Sequence, residues 1–215
     1  MTRNYDKLMH EKIESFAGKK KRLLLHCCCA PCSSACLERM KEFFNVTVLF
    51  YNPNIEDEEY ERRKDELVRL INETSWAEIL DCDHNTGEFY AVVSGLEDCN
   101  EGGERCEKCF ELRLKKTAEI AELGDFDYFT TTLTISPLKN AEIINCIGER
   151  LGGDKWLHSD FKKKNGYLRS IELSKKHGLY RQDYCGCIFS ERERSKGKQK
   201  ELRKKIGANP PFEQF

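Results

Sequence analysis

The chain has 215 residues, with 36 Lys or Arg, 37 Asp or Glu and a formal net charge of −1. This length suffices for one domain with its own core, and 12 Phe and 8 Tyr argue against a disordered chain. No apolar run reaches the roughly 20 residues that span a bilayer, and the first residues lack the apolar stretch of a secretory signal. We therefore expect a cytoplasmic protein that does not contact the membrane.

Segments of strand and helix character alternate along the chain. In order, the patterns predict a strand over 22–26, a helix from 33, a strand over 46–52, a helix over 57–72, a strand over 77–81, a helix over 104–123, a strand over 128–133, and helices over 137–150, 166–177 and 188–205. This alternation predicts an α/β fold with a mainly parallel sheet and flanking helices.

Two of the predicted strands end at chemically distinctive residues. The first strand ends at His26 and three adjacent cysteines, and the Thr-rich strand runs into Thr134-Ile135-Ser136-Pro137. Ligands of parallel sheets bind beyond the carboxyl ends of the strands. We therefore expect both strand ends to face one crevice.

Charge is distributed unevenly along the chain. Residues 162–205 hold 15 Lys or Arg against 5 Asp or Glu, so the remainder carries a net charge of −11. A basic region of this kind is typical of proteins that bind a polyanion, although a solvated helix face gives the same pattern. We expect a single α/β domain over 1–215, with 162–205 as a basic helical extension.

The number that stands out in the composition is 12 Cys. In a reducing compartment, grouped cysteines indicate a metal site or a redox site more often than structural disulfides. The sequence contains three such groups, which are Cys27-Cys28-Cys29-Ala30-Pro31-Cys32, Cys106-Glu107-Lys108-Cys109 and Cys185-Gly186-Cys187.

The second group lies at the start of a predicted helix. Cys106 and Cys109 are three residues apart and so share a helix face, and the helix N-terminus favours their thiolates. With two thiolates from the first group they make a four-sulfur site, which suits zinc or an iron–sulfur cluster. Adjacent cysteines suit a cluster of several irons better than a zinc site, so the iron–sulfur interpretation is favoured.

The third group is too tight for two independent metal ligands. Cys185 and Cys187 can close a small strained disulfide, which would be redox-active, or offer both sulfurs to one metal. A turn with buried thiols is the structural alternative. For the remaining cysteines we expect no role in the site, with Cys82 and Cys146 in the core, Cys36 in helix packing and Cys99 in a nearby loop.

Taken together, these groups resemble one family, the cobalamin-independent epoxyqueuosine reductases of the QueH type. The matching stretches are 23–32, 101–110, 130–140 and 180–187, which follow one another over most of the chain. The resemblance implies reduction of epoxyqueuosine to queuosine at the wobble position of the tRNA anticodon, the last step of queuosine biosynthesis. It also implies an α/β fold similar to that of tRNA thiolation enzymes.

The resemblance further implies the metal and redox groups. A [4Fe–4S] cluster would be held by Cys28, Cys29, Cys106 and Cys109, with a second, mononuclear iron beside it. Cys185 and Cys187 match the redox-active disulfide pair of the family, and the electron donor is not identified by the sequence.

The sequence departs from other members of the family at two cysteines. Some members have Val and Asp where this chain has Cys27 and Cys32. Cys27 is therefore a competing candidate for a cluster ligand. Cys32 is a candidate ligand of the second iron, where it would replace a harder carboxylate.

The reaction also needs an acid and contacts to tRNA. Asp160, Asp183 and Tyr184 are the candidates for protonating the leaving oxygen. We expect an anticodon loop with splayed bases to stack on Tyr167 or Tyr184, and its backbone to meet the basic extension. The expected phosphate contacts are Lys162-Lys163-Lys164, Arg169, Arg181 and the helix over 192–205.

Two other functions are compatible with parts of the sequence. A tRNA sulfur-insertion enzyme on a similar fold would carry a Ser-Gly-Gly-x-Asp-Ser motif for ATP after the first strand, where this chain has His26 and the cysteines. A non-catalytic module for zinc or iron would bind metal without reductive chemistry.

Overall fold

A four-stranded parallel sheet organises the protein, for which a computed structural model describes residues 3–196. The strands are β1 (Lys21–His26), β2 (Phe44–Leu49), β3 (Glu78–Leu80) and β4 (Tyr128–Thr131), arranged in the order β3-β2-β1-β4. β1 pairs in parallel with β2 on one side and β4 on the other. The predicted α/β class with a parallel sheet is confirmed.

Helices connect the strands and cover both faces of the sheet. They are α1 (Tyr5–Glu14), α2 (Ala30–Met40), α3 (Asp57–Thr74), α4 (Thr86–Val93), α5 (Glu104–Leu123), α6 (Ala141–Gly152) and α7 (Gly166–Lys176). Residues 188–196 are also helical, up to the end of the described part of the chain. Among residues 3–196, none of the helices combines the length and apolar character that crossing a bilayer requires.

The central strand β1 is apolar on both faces, as expected for a strand covered by helices on each side. Leu23 and Leu25 pack into a cluster with side chains of α1, α2, α3 and α7. Leu24 points the other way, into a second cluster built with α5 and α6. The two clusters leave the carboxyl end of β1 as the place where polar groups meet.

Two predicted boundaries shift because side chains cap the backbone. The strand predicted over 128–133 ends at Thr131, whose hydroxyl accepts a hydrogen bond from the amide of Leu133 and begins a short 3-10 helix over Thr132–Ile135. The helix predicted from 137 begins at Ala141 instead, because the side chain of Asn140 accepts hydrogen bonds from the first amides of α6.

The described part of the basic region packs against helix α2. α7 lies against α2, and Leu173 and Leu179 join the same core cluster as Leu37. Residues 197–205 of the predicted last helix lie outside the described residues. The single domain over 1–215 therefore stays a prediction.

Candidate functional site

The loop after β1 brings three thiols together. Cys29 is the N-cap of α2, and Pro31 lies in the first turn of that helix. The Sγ atoms of Cys28, Cys29 and Cys32 lie within 4.8 Å of one another, with 4.0 Å between the first two. Three sulfurs this close can bind a metal ion. The structure thus groups Cys32 with two of the predicted cluster ligands.

Cys27 points away from this group. Its side chain is fully buried in the core cluster that contains Leu23 and Leu25, whereas Cys28 and Cys29 belong to the opposite cluster. Burial raises the pKa of the Cys27 thiol well above its usual value. The fold therefore gives Cys27 a packing role and leaves its neighbours facing the site.

The three grouped thiols differ in how easily they ionise. Hydrogen bonds from Cys29 and Cys32 hold the pKa of Cys28 well below its usual value, against the effect of burial. The same hydrogen bond raises the pKa of Cys29 to about 12. Cys28 is consequently the most easily ionised thiol of the group, with the Thr132 hydroxyl 4.0 Å from its sulfur.

A second group of thiols lies at the start of α5. Cys106 and Cys109 face a small apolar cavity, as do Cys185 and Cys187 from the last described segment. The amide of Gly102 donates a hydrogen bond to the sulfur of Cys106 over 3.2 Å. Burial raises the pKa of both Cys106 and Cys109, the latter to about 12.

Cys185 connects the two groups. It lines the small cavity and also a larger one of about 420 Å³, which we call the strand-end crevice. The crevice is further lined by Cys28, Cys29, Cys32, Ser136 and Lys139. The expectation that the ends of β1 and of the Thr-rich strand face one crevice is confirmed. All 12 cysteines are free thiols in this structure, so a bond between Cys185 and Cys187 stays a prediction.

Gly186 separates the two cysteines, and its close packing leaves no room for a side chain. Its φ is +112°, and a Cβ there would lie 2.8 Å from Nη1 of Arg63 and 2.9 Å from Cγ1 of Ile55. The same Nη1 donates a hydrogen bond to the carbonyl of Cys185 over 3.1 Å. Arg63 on α3 thereby fixes the backbone of the Cys-Gly-Cys segment.

We expect Gly186→Ala to destabilise the protein by about 2 kcal/mol, since it combines a disfavoured φ with a clash. Gly178→Ala is the matched control, because Gly178 has a φ of +57° but no atom within 4 Å of the added Cβ, and about 1 kcal/mol is expected there. Urea unfolding measures both. Equal losses in the two variants would show that the packing around Gly186 does not constrain it.

Cationic side chains surround the thiols. Burial opposes the charge of Lys139, but the negative charge that nearby cysteines such as Cys185 and Cys28 can carry outweighs burial and raises the pKa of Lys139. Arg113, one helical turn beyond Cys109, is buried beside the small cavity. The sequence predictions missed both roles, although the spacing of four residues between Cys109 and Arg113 places them on one face of α5.

The candidate proton donors lie in different places. Tyr184 lines the strand-end crevice, its ring centroid is 5.2 Å from the guanidinium of Arg63, and burial raises its pKa. Asp183 also lines the crevice and pairs with Arg194. Asp160 is buried, forms an ion pair with Lys162 over 2.6 Å, and is not among the crevice residues. The role of each as an acid stays a prediction.

The basic residues expected to bind tRNA differ in their surroundings. Arg181 lies over the ring of Tyr167, 5.4 Å from its centroid, and both side chains line the crevice. Arg169 is held in a two-pronged ion pair by Glu38, with N–O distances of 2.8 and 2.7 Å. The crevice that Cys28, Cys29 and Cys32 line is thus also lined by the cations of Arg63, Lys139 and Arg181.

His26, at the end of β1, is buried between the Thr131 hydroxyl and the Tyr51 carbonyl, at 2.8 and 3.0 Å. The cysteines expected to lie outside the site are only partly as predicted. Cys36 is buried in the core cluster of Leu23 and Leu25, and Cys82 packs half-buried against the opposite cluster, which contains Leu24. The prediction of a core position for Cys146 is wrong, because its side chain is exposed on α6. The apolar neighbours of Cys146 in sequence face inward on the helix, and it does not.

A parallel α/β sheet with thiols gathered at a strand end and at a helix N-terminus defines a protein with a cysteine-rich metal or redox site. The family model "Epoxyqueuosine reductase QueH" matches residues 23–193. The chain belongs to this family.

Similar proteins carry the same description. An epoxyqueuosine reductase QueH of Streptococcus pyogenes serotype M1 is 42% identical over 199 residues, which cover 87% of this chain and 78% of that protein. The relative from Staphylococcus epidermidis is 38% identical over 200 residues, covering 87% and 84%. The one from Thermotoga maritima is 37% identical over 194 residues, covering 86% and 97%.

Proposed function

We propose that the protein is an oxidoreductase that reduces epoxyqueuosine to queuosine in the anticodon loop of tRNA, the last step of queuosine biosynthesis. Membership of the QueH family carries this proposal. Converting an epoxide to an alkene takes up two electrons and two protons, breaks both C–O bonds of the ring and releases the oxygen as water. The site must therefore deliver electrons and protons to one oxygen atom.

The residues present fit an iron–sulfur cluster. Thiols from three chain segments border two adjoining cavities, and buried cations beside them suit a negatively charged group. Cys28, Cys29, Cys106 and Cys109 would hold a [4Fe–4S] cluster, which supplies single electrons when bound. Cys32 would be a ligand of a second iron, within sulfur–sulfur reach of Cys28 and Cys29.

The protein's own groups supply the remaining needs of the reaction. Cys185 and Cys187 together release two electrons and two protons on forming a disulfide, which matches the demand of one turnover. Tyr184 carries its Oη proton at neutral pH, as an ordinary tyrosine does, and can give it to the leaving oxygen. The electron donor that restores the thiols is not identified.

Substrate binding is assigned to the mouth of the strand-end crevice. Tyr167, with Arg181 over its ring, offers a stacking surface for a splayed base. Leu138 stands at the same mouth, 78% exposed, and adds apolar contact. Tyr184 lines the same crevice and precedes Cys185 in the chain.

The activity test starts with anaerobic purification and analysis of iron and sulfide. The protein is then incubated with epoxyqueuosine-containing tRNA and a chemical reductant, and the nucleosides are separated by mass. We expect queuosine to accumulate. Bound zinc without iron, or a loaded protein that leaves epoxyqueuosine unchanged, would contradict the proposal.

We expect tRNA binding to weaken steeply as salt rises, since phosphate contacts release counterions. Arg181→Ala should reduce the slope of log K against log salt by about 1. Arg150→Ala is the matched control, because Arg150 pairs with Glu111 on the α5–α6 surface and does not line the crevice. Filter binding over a salt series measures the slopes. A slope near zero for the unmodified protein would contradict the proposal that basic side chains contact the phosphates of tRNA.

A further inference from the structure

Arg113 is a buried cation without an acidic partner. Its side chain is 1% exposed on α5. Nε donates a hydrogen bond to the carbonyl of Cys109 over 3.2 Å, and the guanidinium lies 5.6 Å from the Phe110 ring centroid. Within residues 3–196, Nη2 has no hydrogen-bond partner and no carboxylate forms an ion pair with Arg113. A charge buried in this way is costly unless an anion balances it.

The other two buried arginines near the thiols are paired. Arg105 contacts Glu193 over 3.0 Å, and Arg63 contacts Glu59 over 2.7 Å. Arg105 lines the small cavity with Arg113, and Arg63 lines the strand-end crevice. The missing acid is therefore specific to Arg113.

Sulfur atoms take the place of an acid around Arg113. Arg113 lines the small cavity together with Cys106, Cys109 and Cys185, and, against the effect of burial, negative charge on four nearby cysteines would raise its pKa. These cysteines come from all three groups and are Cys109, Cys185, Cys28 and Cys106. Arg113 thus shares the small cavity with two of the predicted cluster ligands, Cys106 and Cys109.

We propose that Arg113 is the counter-charge of the metal–thiolate group, and that it sets the reduction potential of that group without being a ligand. This inference rests on the proposed function, because free thiols are mostly neutral and only a thiolate-bound cluster provides the anion. Reduction adds one negative charge to the cluster. A nearby fixed cation favours the reduced state, so Arg113 raises the potential.

The proposal also couples Arg113 to metal loading. Without metal, the guanidinium is buried with little anionic charge nearby, so its replacement by a neutral side chain costs the apoprotein little. With metal bound, the same replacement removes the cation that balances the negative metal–thiolate group. The rise in melting temperature that loading produces should therefore be smaller in a neutral variant.

The experiment compares Arg113→Gln, Arg113→Lys and Arg113→Met with the full-length chain, and Lys115→Gln is the matched control because Lys115 is exposed on the same helix. Each protein is studied anaerobically with and without reconstituted iron and sulfide. Melting temperatures give the loading increment, and an electron paramagnetic resonance titration gives the potential.

In the neutral variants we expect about a tenfold lower ratio of reduced to oxidised cluster at a given potential, which is about 59 mV for one electron. The loading increment should also fall in these variants. Arg113→Lys and Lys115→Gln should stay close to the unmodified protein. If both neutral variants fail to fold, equal potentials for Arg113→Lys and the unmodified protein support the proposal, and a large shift in Arg113→Lys overturns it.

The outcomes separate this inference from the proposed function. An unmodified protein that takes up no iron contradicts the proposed function. A loaded Arg113→Gln protein whose potential and loading increment match those of the unmodified protein contradicts only the role of Arg113.

Discussion

Replacing Cys187 with Ser should leave the iron content and visible absorbance unchanged and reduce turnover at least a thousandfold. Ser cannot form a disulfide with Cys185, so the two electrons and two protons of the thiol pair would be lost. Cys187 is buried in the small cavity, where its sulfur accepts a hydrogen bond from the amide of Ser190 over 3.4 Å. Ser fits this pocket with little change in packing. Iron analysis and single-turnover formation of queuosine measure the two effects.

Two further variants sharpen this result. Cys146→Ser removes an exposed thiol outside the site and should behave as the unmodified protein. Cys185→Ser separates a redox role from a ligand role, because Cys185 borders both cavities. Loss of iron in that variant would make Cys185 a ligand. Full turnover by Cys187→Ser would contradict the proposal that Cys185 and Cys187 supply electrons as a redox pair.

The second large effect, on bound iron, is expected when two adjacent cysteines are replaced in turn. Cys28→Ala should lower bound iron about tenfold or more, because it removes the most easily ionised thiol of the strand-end group. Cys27→Ala should retain iron, since Cys27 faces the core on the other side of β1. The cost of Cys27→Ala is expected in stability, about 1 kcal/mol. Iron analysis after anaerobic reconstitution and urea unfolding measure the two variants side by side.

The reverse outcome is informative. Loss of iron in Cys27→Ala with retention in Cys28→Ala would mean that the loop after β1 changes conformation when metal binds, so that Cys27 faces the site in place of Cys28. Equal retention in both would leave Cys29 and Cys32 as the strand-end ligands.

The sequence predicts the fold class because local patterns are strong where the sheet forms. The apolar run at Leu23–Leu25 and the Thr-rich β4 are each flanked by helical periodicity. Their exact ends depend on side-chain caps such as those of Thr131 and Asn140. α1 and α4 are absent from the predictions, since α1 has only Met9 and Ile13 as buried aliphatic side chains and α4 is short.

The candidate site is only partly readable from the sequence. Spacing identifies each cysteine group, but no local pattern tells that Cys185 lies between the other two. Nor does it show that Arg63, more than a hundred residues earlier, binds the Cys185 carbonyl. The sequence also does not show which basic side chains are free to bind tRNA, because Glu38 on α2 forms an ion pair with Arg169 on α7. Contacts between distant segments decide these points, and composition carries no record of them.

The position of Cys185 also sets the order in which the site is completed during synthesis. The four strands of the described residues and the other two cysteine groups are made before residue 185, so the sheet can form with Cys28 and Cys109 in place. The wall between the two cavities arrives only afterwards. Without Cys185 both cavities lack one of their lining residues, so we expect the thiols of a nascent chain to be more accessible to oxidants and to an incoming cluster than those of the finished protein.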